Sequence, residues 1–174
     1  MAVDVVVEEP LWESVGLERL AERGVVATLA HLGLEPDDWD VVVMGCDDAR
    51  IAALNADYRG KPTPTNVLSW PSEERGAKIE GQTPESPRGD PELGDLAIAY
   101  QTCLREAESG DKPLNDHALH LVVHGTLHLL GYDHVRDGDG DLMEALEIAI
   151  LAKLGVQNPY EWDGHSGPDD DGKD

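Results

Sequence analysis

The sequence predicts an α+β domain, with one mixed four-stranded sheet packed with about five helices, one of which carries a row of histidines. Three observations predict it. Short β-branched runs and longer segments of helical apolar spacing follow one another as strand, helix, strand, helix, strand, strand, then helices. A chain of 174 residues is long enough for one proper core and too short for two. The apolar fraction of 40% is that of a globular protein, and with no Phe the core has to be aliphatic.

Each element has its own signal. VDVVVEE (3–9) reads as a buried strand ended by Pro10. LWESVGLERLAERGVVATLAHLGL (11–34) has helical spacing, interrupted at Gly24 and closed by Gly33. WDVVVMGC (39–46) is the second strand, after which Asp47 or Asp48 is placed to cap a helix over DARIAALNADY. NVLSW (66–70) is the third strand. The segment 71–92 is rich in Pro, Gly and charge without periodicity, and reads as an exposed insertion loop. LGDLAIAY (93–100) is the fourth strand, followed by helices over QTCLREAES, over 115–130 with a stop at Gly131, and over about 139–154. One domain is expected over 1–160, and the acidic tail 161–174 is expected to be disordered.

The formal charge of -23 favours solubility and argues against indiscriminate binding to DNA, RNA or anionic lipid, while leaving room for a locally basic cleft. No apolar run reaches membrane-spanning length, and MAVDVVVEEP has no basic start of a signal peptide, so a cytoplasmic location is expected. Cys46 and Cys103 stand in separate apolar segments and read as small buried hydrophobes.

Five of the seven histidines, His117, His120, His124, His128 and His134, fall in one short stretch. On a helix the first four lie within roughly 80° of one another, opposite Leu119, Val122, Val123, Thr126, Leu127 and Leu130. His124 and His128 are one turn apart, and Gly131 lets the chain turn back so that His134 completes a three-imidazole set. Such a set favours zinc or a similar transition metal and leaves one coordination position open, a zincin-like site of the catalytic kind. His117 and His120 are not needed as ligands and are expected to line or support the pocket. The HxxxHxxGxxH spacing is that of zinc proteases, but Gly125 stands where those enzymes carry a glutamate base. Amide cleavage needs that proton transfer, whereas a phosphodiester is helped by a Lewis acid and a fixed cation. Asp133 is the nearest acid, past the helix end.

HLVVHGTLHLLGYDH (120–134) with MEALE (143–147), LNADYRGKPTPTNVLSWP (54–71) and LGDLAIAY (93–100) together resemble the YbeY family of bacterial rRNA-maturation endoribonucleases, in matching order over about residues 40–155. The resemblance implies a zinc-dependent, single-strand-specific endoribonuclease acting in 16S rRNA 3′-end maturation and late-stage 70S ribosome quality control, associated with the small ribosomal subunit. It implies one zinc ion per chain, held by His124, His128 and His134, and a catalytic role for Arg59. A planar, permanently charged guanidinium can hold a phosphate bidentately. Lys61 is a weaker candidate for backbone contact. Two positions depart from the family's pattern: Asn66 stands for an aspartate and Trp70 for a phenylalanine. Two further readings remain open: a ribosome-assembly factor with mainly structural zinc, and a metallohydrolase of another substrate.

Overall fold

A computed structural model describes residues 3–160; the expected acidic tail, 161–174, lies outside the described residues. The elements are β1 (Val3–Val7), α1 (Leu11–Val15), α2 (Leu17–His31), a short 3-10 turn (Pro36–Asp38), β2 (Asp40–Cys46), α3 (Asp48–Arg59), β3 (Val67–Pro71), β4 (Glu92–Ala99), α4 (Tyr100–Ser109), α5 (Leu114–Leu129) and α6 (Asp137–Lys153). They form the mixed α+β arrangement expected, with sheet order β1-β2-β4-β3. The β1/β2 and β2/β4 pairs are parallel, and β3 runs antiparallel to β4 at the edge of the sheet.

The expected helix over 11–34 is two helices. The break falls at Gly16, whose φ of 76° ends α1 with an N–H bonded back to the preceding turn. Gly24, the expected interruption, lies inside α2 instead. A Cβ there would stand 2.8 Å from Val122 Cγ1, so the glycine lets α2 approach α5 closely. The helix tolerates it because burial of Leu17, Leu20, Val25 and Leu29 outweighs the propensity cost of about 1 kcal/mol.

Strand alternation divides the core. Val41, Val43, Leu96 and Ile98 pack into the main cluster with α2 and α5, while Cys46, Ala97 and Ala99 join Ile51 of α3 and Leu68 on the other face. Both cysteines are buried and free, and burial pushes the Cys46 thiol up to about 12. α5 contacts α2, α4 and α6 as well as β3 and β4, so it is buried nearly all round. That central position is what aims its histidines. Asp47 supplies the α3 cap by accepting from Arg50 N at 2.8 Å, whereas Asp48 accepts from Thr102 N and Oγ1 and ties α3 to α4.

Between β3 and β4 the chain forms no regular helix or strand, yet it is hydrogen-bonded down to the α5–α6 connection. The Arg75 guanidinium donates to Leu129 O (2.8 Å) and Ser72 Oγ (2.9 Å), and Arg136 donates to Ala77 O (2.8 Å). Gly81 N donates to Asp139 Oδ1 at 2.8 Å, and Gly138 N to Glu80 Oε2 at 2.7 Å. Gly131, at φ 104°, passes directly beneath the Arg75 backbone, where a Cβ would collide. Residues 75–81 therefore act as a strap across the turn that follows α5.

Candidate metal centre

The helical spacing of α5 puts His124 and His128 on adjacent turns, and their Nε2 atoms lie 3.1 Å apart. After Leu129 the chain closes with Gly131 N donating to His128 O and Tyr132 N to Leu127 O, and the positive φ of Gly131 turns it back. His134 is thereby brought beside the other two, with its backbone N–H donating to Asp133 Oδ1 at 2.7 Å. Asp133, exposed, thus shapes the turn that presents His134. One nitrogen from each of His124, His128 and His134 falls in a group within 4.8 Å, and ring centroids are 4.6–5.4 Å apart.

Behind His124 stands a residue that the sequence reading gave no role. Glu147 of α6 is 1% exposed and accepts from His124 Nδ1 and from the Tyr160 hydroxyl, with His120 Nε2 at 3.6 Å. Burial opposes its ionisation, but the charge of His124 and the hydrogen bonds of His120 and His124 prevail and hold the carboxyl well below its ordinary range. An ionised Glu147 is an acceptor only, so His124 Nδ1 carries the proton and Nε2 presents its lone pair to the His128 side. The sequence held a signal for Glu147. Met143, Glu147, Ile150 and Leu151 form the buried stripe of α6, and a glutamate on a core stripe requires a partner.

These residues fit a metal ion. Nitrogen ligands about 2.0–2.1 Å from a tetrahedral ion stand roughly 3.3 Å apart, close to the His124–His128 separation. Burial, with His124 and His134 beside it, holds His128 well below the usual histidine range and so in the neutral form a metal requires. Without an ion, it is the charge of the His124 ring that compensates the buried Glu147 carboxylate; a dication one ring away would take over that role and leave the ring neutral. The alternative grouping of His120, His124 and Glu147 shares His124, and its carboxylate is already an acceptor for that ring and for Tyr160. It is the support behind the three-histidine set.

His124, His128 and His134 open onto a cavity of about 1050 Å³ that Tyr58, Arg59, Asn66, Ser69, Arg75 and Arg136 also line. Arg59, in the last turn of α3, therefore lines the same space as the histidines. Lys61 is not part of that wall. Beside Arg59, Tyr58 is 46% exposed and packs on Trp70 with centroids 5.2 Å apart.

Asn66 joins a second, partly buried network. Its Nδ2 donates to Glu106 Oε1 (3.0 Å), which also accepts from His117 Nε2 (2.8 Å). Burial opposes ionisation of Glu106, yet these hydrogen bonds lower its pKa, while burial lowers that of His117 and keeps the ring neutral. An aspartate at 66 would set a second carboxylate against Glu106, so asparagine suits this environment. His117 and His120 are buried behind the cavity rather than on its wall.

Gly125 also gains a physical reason. A Cβ there would lie 2.8 Å from Leu96 Cδ2 and 3.4 Å from Ser69 Oγ, so the position is filled by the close packing of α5 on the sheet. A glutamate would not fit without displacing the buried Leu96 side chain.

A model of the family described as Endoribonuclease YbeY matches residues 9–155. The chain belongs to the YbeY endoribonuclease family. An Endoribonuclease YbeY of Ruegeria sp. (strain TM1040) is 56% identical over 92% of this chain and 96% of its own length. One of Paracoccus denitrificans is 58% identical over 91% of this chain and 89% of its own. Among solved structures, a protein of Thermotoga maritima determined in solution superposes with a TM-score of 0.54 at 21% identity, covering 88% of this chain and 91% of that one, which shows the fold alone. YbeY membership agrees with the motifs recognised in the sequence and with the three-histidine cluster. No helix among the described residues is long and apolar enough to cross a membrane.

Proposed function

We propose that this chain is a zinc-dependent, single-strand-specific endoribonuclease that matures the 3′ end of 16S rRNA and takes part in 70S ribosome quality control, working in the cytoplasm on the small ribosomal subunit. The observation that carries the reading is the placement of three imidazole ligands and Arg59 on one open cavity in a YbeY-family chain. His124, His128 and His134 hold the ion, and Glu147 fixes the His124 tautomer. When bound, the ion supplies Lewis acidity to water and to a phosphoryl oxygen. Arg59 binds and orients the phosphodiester through its fork of N–H donors. Tyr58 offers an exposed aromatic face to an unpaired base, which supports preference for single strands.

The open cavity favours a catalytic over a purely structural ion, because a structural site closes its fourth position with protein. Zinc-loaded protein should cleave single-stranded rRNA, and the chelated protein, His128→Ala and Arg59→Glu should not. Full cleavage by all three, or turnover of casein with RNA left intact, would refute the reading.

A further inference from the structure

The open edge of β3 faces the same cavity, and its hydrogen-bonding groups can be read one by one. β3 is the last strand of the sheet and pairs only with β4. Ala99 N donates to Asn66 O and Ser72 N to Leu93 O, so the even-numbered residues of β3 bond to β4. In an antiparallel ladder the residues between them turn both backbone groups the other way. Val67, Ser69 and Pro71 therefore direct theirs to the open side, and all three line the cavity.

Those three positions are not equivalent. The Val67 N–H is taken by the side-chain Oδ1 of Asn66 at 2.7 Å. Pro71 has no N–H. Among the described residues, Ser69 alone is left with an outward backbone donor on this edge without a partner. Its side chain lies against α5, with Oγ 3.5 Å from Gly125 O, next to His124. An edge on which one donor is capped and another is missing is a poor template for an extended peptide, which uses alternate donors and acceptors along its length. A single donor on a cavity that an arginine and a histidine cluster also line suits one anionic oxygen instead.

We propose that the Ser69 backbone N–H donates to a non-bridging oxygen of the phosphodiester held in the cavity, opposite Arg59, and that β3 is thereby a phosphate-binding edge and not a peptide-binding one. The proposal rests on the nuclease reading for its substrate. It also accounts for the cap on Val67, since a second free donor would admit a peptide strand.

The test uses Ser69→Pro, which deletes the N–H, beside Ser69→Ala, which keeps it and deletes only the hydroxyl. Pro71 already occupies an equivalent position two residues on, so the strand accepts the ring there. With zinc content and circular dichroism matched to wild type, Ser69→Pro is expected to cleave a single-stranded ribo-oligonucleotide on the order of 100-fold more slowly than Ser69→Ala. Equal rates for the two variants would overturn the proposal. Should Ser69→Pro not fold, amide NMR of the wild-type protein decides. Inorganic phosphate and a non-cleavable dinucleotide should each move the Ser69 amide resonance downfield, and an extended peptide should not. No shift with either phosphate compound would overturn it. A phosphate-induced shift in a wild-type protein that cleaves no RNA would retain the anion site and reject the nuclease reading alone.

Discussion

At the scale of single residues, the centre depends on side chains that touch no substrate. Glu147 lies one ring behind the cluster and decides which nitrogen of His124 bears the proton. Glu147→Gln keeps the shape but weakens the acceptor, and its amide group can turn a donor toward the imidazole. Zinc affinity should fall about 10- to 100-fold, as read by competition with a chromogenic chelator. The Asn66–Glu106–His117 network gives a prediction of opposite sign in two proteins. In the wild type the lowered pKa values mean that the unfolded chain binds protons first, so its stability falls as pH drops below about 6.5 for His117 and again in the carboxylate range. In Asn66→Asp two adjacent carboxyls raise one pKa, so that pair gains stability as pH falls from 7 toward 5. Urea titrations of both proteins across this range check the sign.

At the scale of elements, the helix that carries the histidines is held by close approach on two sides. Gly24 brings α2 against Val122, and Gly125 brings α5 against Leu96. Gly24→Val overpacks the first of these and should cost about 1–3 kcal/mol in urea unfolding, despite a better helix propensity. The four strands, the α5 boundaries and the clustering of His124, His128 and His134 were legible because their signals are local: β-branched runs, a 3.6-residue repeat and a fixed histidine spacing. The α1–α2 break was misplaced because both Gly16 and Gly24 are glycines, and only packing tells a helix end from a helix contact. Glu106 and the strap were illegible because their partners are distant in sequence. Arg75 and Leu129 are 54 residues apart, and no periodicity links them.

At the scale of the whole molecule, the strap couples the outer surface to the centre. Arg75, Arg136, Glu80 and Asp139 join residues 75–81 to the turn that presents His134. Any ion that fixes His134 therefore also fixes the strap, and binding that orders a segment lowers its opening. Limited proteolysis should cut the chelated protein within 75–81 faster than the zinc-loaded protein, with the site mapped by mass spectrometry. Equal cutting rates would show that the strap and the turn move independently.

The uneven edge of β3 has a consequence beyond the chemistry. An enzyme that acts on a long substrate has to leave its cleft uncovered, and here that exposes a strand edge reading VLSW, a sequence well suited to pairing with another copy of itself. Pro71 and the Asn66 cap withdraw two of the three outward donors, so the edge offers a neighbouring molecule only the Ser69 N–H as a donor. The cleft can stay open while its strand edge gives a second copy little to pair with.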